Sequence, residues 1–317
     1  MNGTSTLELA QAYEFCRAVA KREAKNFYWS FRVLPRHKSD AMCAVYAFMR
    51  KADDLADDES MSLEARRTAM AEWTAAWRAS RTTSTTEPLF AALNDTQRRF
   101  GVSDELLEEL VAGTTMDLQL QPEGTNVVET TGTNGQSRTL HIYESQATLE
   151  RYCYLVASVV GLVCIRIFGY TDPRAESLAV DTGKAFQLTN VLRDIKEDAQ
   201  RGRVYLPGTL LAEFDVTPSR LLSVTEGATP TARELAMLQS FSERAEVLYR
   251  SADALLPLLD KDAQPAMRVL VTIYHRLLRR AEQHGVLVFH QRVSVPTAEK
   301  LSILGRGVLG SLLARSA

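Results

Sequence analysis

The chain has no excess of charge of either sign, few cysteines and no long apolar run. Its 37 Lys and Arg against 39 Asp and Glu leave a formal net charge of −2 and an isoelectric point near 6.3. That balance excludes the basic field by which proteins collect nucleic acid. An anionic partner must therefore be held locally, by arginines or by metal. The four cysteines, Cys16, Cys43, Cys153 and Cys164, show no CxxC spacing and each lies in an apolar stretch. They read as buried free thiols in a reducing compartment, not as zinc ligands or disulfides. The longest apolar run, Leu155 to Ile165, is too short to span a bilayer, and the first 21 residues lack the pattern of a secretory signal. A cytoplasmic protein is expected. No GxGxxG follows a strand signal, no long internal repeat recurs, and no sustained period-2 alternation announces a sheet.

What is present is helical periodicity nearly throughout, over 317 residues of which 45% are hydrophobic. That is enough for one large helical core. Apolar positions at three- and four-residue steps predict helices from residue 7 to about 25 and from Ser39, a candidate N-cap, into an aspartate cluster. Further helices are expected over 60–80, 88–100, 104–120, 149–168, 181–200, 231–256, 263–284 and 298–314. Trp73 and Trp77, four apart, read as core. Residues 149–168 are apolar nearly all round, as in a central buried helix. Ser80–Pro88 reads as a Ser/Thr-rich loop. Pro122–Arg138, rich in Gly, Thr and Asn, reads as a long loop or an excursion over a pocket mouth. The expectation is an all-α chain forming a single domain.

Two acidic clusters carry the chemistry. Asp53-Asp54-Leu55-Ala56-Asp57-Asp58 and Asp194-Ile195-Lys196-Glu197-Asp198 each place aspartates four residues apart. On a helix such carboxylates share a face, roughly 6 Å apart at Cβ, and repel unless a cation lies between them. Tyr46 and Arg50 precede Asp53 on the same face. Gln187, Asn190, Asp194 and Asp198 form one polar stripe, its other side filled by Phe186, Leu188, Val191, Leu192 and Ile195. Amide and carboxylate oxygens suit magnesium, which shares its remaining sites with substrate phosphates. Arg193, Arg201, Arg203 and Tyr205 supply donors beside the stripe. The competing reading of both clusters is a solvated helix face, with Arg50 in a surface ion pair to Asp53.

These residues resemble the squalene/phytoene synthase family over nearly the whole chain, from Phe27 to about Val295. The resemblance rests on Tyr46-Ala47-Phe48-Met49-Arg50-Lys51-Ala52-Asp53-Asp54-Leu55-Ala56-Asp57, on Gln187-Leu188-Thr189-Asn190-Val191-Leu192-Arg193-Asp194-Ile195-Lys196-Glu197-Asp198, and on Gly202-Arg203-Val204-Tyr205-Leu206-Pro207. It implies an isoprenoid-synthase fold around a central cavity. Asp53, Asp57, Asn190, Asp194 and Asp198 would hold about three magnesium ions that bind prenyl diphosphates. The resemblance further implies that Tyr152 is the catalytic tyrosine, that Tyr46, Arg50, Gln187, Arg193, Arg203, Tyr205, Tyr274 and Arg292 contact or support diphosphate, and that Phe27 and Phe31 stand near the entry. Residues 23–26 depart from the family's usual His/Ser pattern.

The expected reaction is head-to-head condensation of two farnesyl diphosphates to presqualene diphosphate, as in bacterial hopanoid synthesis. NADPH would be needed only if the product is reduced to squalene. Phytoene or dehydrosqualene synthesis is the near alternative, and head-to-tail chain elongation or a non-catalytic scaffold the remoter ones. Ala157, Ser158 and Gly161 fit either a tunnel or close helix packing. The 298–314 helix could rest on a membrane or pack on its own domain, and downstream pathway enzymes are conceivable partners.

Overall fold

The computed structural model describes the backbone of residues 6–316 except residues 25 and 134; the side chains of residues 6, 7, 26, 27, 29, 117 and 308–316 lie outside what it describes. Helices α1 (Thr6–Glu23), α2 (Asn26–Phe31), α3 (Arg36–Ala56), α4 (Leu63–Ser80), α5 (Pro88–Phe100) and α6 (Asp104–Thr115) come first. A hairpin follows, β1 (Thr125–Thr131) and β2 (Ser137–Tyr143). Then come α7 (Gln146–Cys153), one π-helical turn over Tyr154–Ser158, α8 (Val159–Phe168), α9 (Arg174–Gln200) and the two-residue β3 (Arg203–Val204). The chain closes with α10 (Gly208–Glu213), α11 (Pro218–Thr225), α12 (Ala232–Leu255), α13 (Gln264–Gln283) and α14 (Thr297–Ser316). With 71% of residues helical, the all-α expectation holds.

Local chemistry explains most helix starts. Ser62 accepts from the Ala65 N–H at 3.2 Å, Ser103 from Leu106 at 3.3 Å, and Thr231 and Glu234 form a capping box. Ser39 is not the cap expected of it. Helix α3 begins at Arg36, because Pro35 (φ −54°) already sets the entry and its carbonyl takes the Ser39 N–H at 2.9 Å.

Residues 122–138 are not the long loop their composition suggested. Most of them build the β1–β2 hairpin, whose register pairs Thr125 with Tyr143 and Thr131 with Ser137, and β2 pairs in parallel with β3. In β1 polar Thr125 and Thr130 take the less exposed positions while Val127 is exposed, so hydrophobicity does not alternate as it would in a typical half-buried strand. The signal that remained is Asn134-Gly135 between runs of β-branched residues, a hairpin turn signature.

Two apolar clusters build the interior. One gathers α1, α3, α5, α6 and α8 around Phe48, Trp77 and Phe168; Trp77 is fully buried, so the tryptophan pair is core as expected. The other gathers α7, α9, α12, α13 and the sheet around Leu149, Leu188 and Phe241. Residues lining the central cavity belong to both, so the cavity lies at their seam. Lys38 ties α3 to the end of α8 and to the segment before α13. Its buried ammonium donates to the Phe168 carbonyl at 2.7 Å and pairs with Asp260 at 3.0 Å and Asp262 at 2.6 Å.

Gln146–Phe168 is one continuous helical stretch of 23 residues, long and apolar enough to cross a membrane. Its half-exposed positions Val156, Ala157, Val160, Gly161 and Cys164 face the cavity instead. Both readings of its small residues hold. Ala157 and Gly161 line the cavity, while Gly161 also packs so that a Cβ there would lie 3.1 Å from the Ala179 carbonyl. Cys16, Cys43 and Cys153 are buried, Cys164 reaches the cavity wall, and all four are unpaired thiols. Burial pushes the Cys16, Cys43 and Cys164 thiols up to about 12, which leaves them unreactive. On α14, Ile303 and Leu304 pack on Val269 and Ile273, and Glu299 pairs with Arg276 and Arg280. The first half of that helix therefore docks on its own chain; the side chains of Val308, Leu309, Leu312, Leu313 and Arg315 lie outside the described ones.

Candidate active site

The cavity encloses about 1060 Å³ of atom-free space, its open mouth included. Its deep end is apolar, with Met42, Ile165, Phe168, Ala179, Leu255 and Met267. Toward the mouth the wall turns polar and aromatic, with Tyr46, Gln187, Asn190 and Tyr274; Phe31 completes it from α2. Helical periodicity ties this gradient to the acids. On α3 the lining residues Met42, Val45, Tyr46 and Met49 lead, one turn on, to Asp53. On α9 the lining residues Ala179, Thr182, Gly183, Phe186, Gln187 and Asn190 lead to Asp194 and Asp198. Both stripes run from the greasy end to carboxylates at the C-terminal side of their helix.

The α9 cluster is half-buried and densely paired. Asp194 accepts from Arg193, through Nε at 2.8 Å and through a second, shorter contact, and from Arg292 Nε at 2.8 Å. Burial works against the Arg193 charge, and the bond to Asp194 more than offsets it, holding the guanidinium above its usual range. Burial, with the Asp194 charge added, pushes the Asp198 carboxyl up to about 7 against the opposing pull of Arg203 and Arg201. Burial also raises the Tyr274 phenol, opposed by Arg193 and by a hydrogen bond from Asn190.

The α3 cluster is different. Asp53 and Asp57 are exposed, and α3 ends at Ala56, so Asp57 is its C-cap, its N–H bonded to the Asp53 carbonyl at 2.8 Å. The i,i+4 partner of Arg50 is Asp54, not Asp53. Asp54 is one residue off the lining stripe, which leaves the Asp53 face of the helix toward the mouth.

Two buried polar atoms near the mouth have no partner, Asn190 Oδ1 and Arg50 Nε. Buried polar atoms are nearly always satisfied, so an orphaned acceptor and donor beside a cavity mark where an ionic guest fits. The donor set there is all oxygen, as a hard divalent cation requires. Among the described residues no three His, Cys, Asp or Glu side chains converge tightly enough to hold a metal by themselves. Amide and substrate oxygens would have to complete its shell.

Tyr152 does not line the cavity. It sits just behind the wall, 8% exposed, and its hydroxyl accepts from Gln187 Nε2 at 3.5 Å. Its ring meets Tyr205 at 4.8 Å and Tyr143 at 5.4 Å between centroids. Arg203 lies close enough to Asp198 to act on its charge. The side chain of Phe27 lies outside the described ones.

Residues 20–299 match the family described as squalene/phytoene synthase. The chain belongs to that family. It is 30% identical over 308 residues to a phytoene synthase of Mycobacterium bovis, covering 96% of this chain and 93% of the relative. It is 30% identical over 285 residues to a presqualene diphosphate synthase of Rhodopseudomonas palustris, covering 88% and 91%. A solved dehydrosqualene synthase in complex with a ligand superposes with a TM-score of 0.76 at 26% identity, covering 97% of this chain and 99% of that one. The fold is therefore that of the isoprenoid synthases, and squalene/phytoene synthases are head-to-head prenyltransferases acting on isoprenyl diphosphates.

Three features of this family member escaped the sequence reading. Tyr143 completes the tyrosine cluster from the end of β2, beyond the residues 122–138 read as a loop or excursion. Lys300, on α14, is held below its usual range by burial and by the nearby Arg193 guanidinium, which adds a cation at the mouth. The π turn fits closely between neighbours. A Cβ at Gly113 would lie 2.7 Å from the Leu155 carbonyl, and one at Gly183 2.6 Å from Ser158 Cα.

Proposed function

We propose that this chain condenses two farnesyl diphosphates head to head into presqualene diphosphate, the committed step of a bacterial hopanoid route. The observation that carries this reading is the pair of cavity-lining stripes on α3 and α9, both ending in aspartates next to unsatisfied buried polar atoms. An apolar hollow with an ionic mouth suits molecules that are greasy at one end and doubly phosphorylated at the other.

Asp53, Asp57, Asn190, Asp194 and Asp198 would hold magnesium. Bound magnesium supplies charge stabilisation for the departing diphosphate. Arg50, Arg193 and Arg292 orient the diphosphates, since guanidinium forks match phosphate oxygens. The Asp194 carboxylate shares its charge with Arg193 and Arg292, so these guanidiniums can turn to substrate without leaving the site. The apolar walls sheath the prenyl tails and exclude water. The allylic carbon is then attacked by the C2=C3 bond of the second substrate, not by solvent. As the cyclopropane closes a proton leaves C1, and Tyr152 receives it or faces the positive charge with its ring.

Relatives named phytoene synthase support a second reading in which two C20 diphosphates are joined. Incubation with C15 or C20 diphosphate and magnesium, with and without NADPH, followed by mass analysis, tests both. Presqualene diphosphate from C15 is the expected product. A longer linear prenyl diphosphate overturns head-to-head chemistry, and efficient turnover of C20 alone replaces the farnesyl reading with the phytoene one.

A further inference from the structure

The hairpin is fastened at three places. At its tip the Thr133 N–H and hydroxyl donate to Glu226 Oε2 at 2.6 and 2.7 Å. Along its length, the His141 N–H donates to the Gly202 carbonyl at 2.7 Å, and β2 pairs with β3 through His141–Arg203 and Ile142–Val204. Gly202 has φ +76°, and a Cβ there would lie 2.7 Å from the Thr139 carbonyl, so only glycine lets the chain leaving α9 press this closely. At its base the Glu144 N–H bonds Gly124 at 2.9 Å, and Thr209 bonds the Glu144 carbonyl at 3.2 Å.

This fastening fixes Tyr143, which is 4% exposed. Its ring stacks on Tyr205 at 5.5 Å with 21° between planes and tilts against Tyr152 at 5.4 Å. The three rings touch pairwise, so Tyr152 cannot rotate about χ1 without displacing one of the others. The same hairpin pairs with Arg203, whose charge acts on Asp198. A polar surface hairpin thus reaches both the catalytic tyrosine and the acidic stripe from behind.

We propose that Tyr143 is a positioning residue and the hairpin the device that holds it, setting the orientation of Tyr152 behind the cavity wall. This rests on the role assigned to Tyr152 above. The contact with Tyr152 is between rings, so the flat ring is the part of Tyr143 that holds it. Tyr143→Phe is expected to keep kcat and KM within twofold of the parent. Tyr143→Met, of similar bulk but flexible, is expected to lower kcat at least tenfold with KM within threefold. It should also raise the share of farnesol formed when water captures the cation. A merely structural role would lower the amount of folded enzyme without altering the product ratio. Melting midpoints are measured alongside, and if Tyr143→Met does not fold, Tyr143→Leu, which also lacks a flat ring, takes its place with the same expectation. Tyr152→Phe is the control. If it turns over like the parent, the role of Tyr152 falls. If it is impaired while a folded Tyr143→Met or Tyr143→Leu keeps the parent kcat and product ratio, the hairpin inference alone is overturned.

Discussion

At the end of α3, Asp53 and Asp57 stand in solvent where the helix is already unwinding; on α9, aspartates of the same spacing are half-buried among arginines. Spacing sets which carboxylates share a face, but the surroundings set what charge they carry and what they hold. Asp194 and Asp198 lie in the last two turns of α9, where burial and the Asp194 charge raise the proton affinity of Asp198 while Arg193 and Arg292 pair with Asp194. Asp53 and Asp57 lie on the exposed side of the end of α3, whose other side buries Ala52 and Ala56 against Met70 and Leu118. The two clusters should therefore answer differently to the same substitution.

The largest effect is expected at Asp194. Asp194→Asn removes the anchor of Arg193 and Arg292 and should cut turnover by on the order of 100- to 1000-fold. It should also cost about 2 kcal/mol of stability, because a half-buried guanidinium loses its counter-charge. Asp53→Asn should lose turnover comparably yet leave the melting midpoint in place, since that side chain is exposed. Steady-state rates and thermal melts of both variants check the contrast; if Asp53→Asn melts as early as Asp194→Asn, the two clusters are not the different environments described.

The next effect is on pH dependence, measured in EDTA. An ordinary aspartate titrates near 3.8, whereas folding raises Asp198 to about 7. The native state thus holds a proton that the unfolded chain has released, and stability falls as pH rises from about 4 to about 7, then levels. The slope contributed is at most about 1.4 kcal/mol per pH unit. Asp198→Asn should flatten that part of the curve. Urea melts at several pH values decide it, and a slope unaffected by Asp198→Asn would contradict the assignment.

Binding gives a third contrast. Magnesium with a non-hydrolysable diphosphate analogue should raise the melting midpoint of the parent, because the ligand binds only the folded chain. The shift should vanish in Asp194→Asn. The smallest effect is on the stability of the α3 ion pair. Arg50 and Asp54 are each more than a third exposed, so Asp54→Ala should change stability by less than about 0.5 kcal/mol. Arg50→Ala should be equally mild in a melt and yet slow turnover about tenfold as a diphosphate donor is lost.

Helical periodicity made the α-helices legible because each has one face in a core and repeats at 3.6 residues. The polar stripe of α9 was legible for the same reason. Gln187 and Asn190 line the cavity as that stripe required, and so do Tyr46 and Tyr274. The hairpin was not legible, since most of its outward residues are polar and its inward ones few. The pairing of Arg50 with Asp54 could not be chosen over Asp53 from spacing, because both lie within reach on a helix surface. The retreat of Tyr152 behind the wall was equally hidden, because a helix position does not say which neighbour covers it.

By itself the amino-acid order determined where helices run, which residues share a face, and that two faces carry carboxylates in register with apolar stripes, because these are periodicities of a single chain. The tertiary structure alone decided which aspartates are buried, which arginines neutralise them, and that a surface hairpin props the tyrosine behind the cavity. Those outcomes depend on what residues far apart in the chain place against one another, and burial, charge pairing and ring contact exist only once they meet.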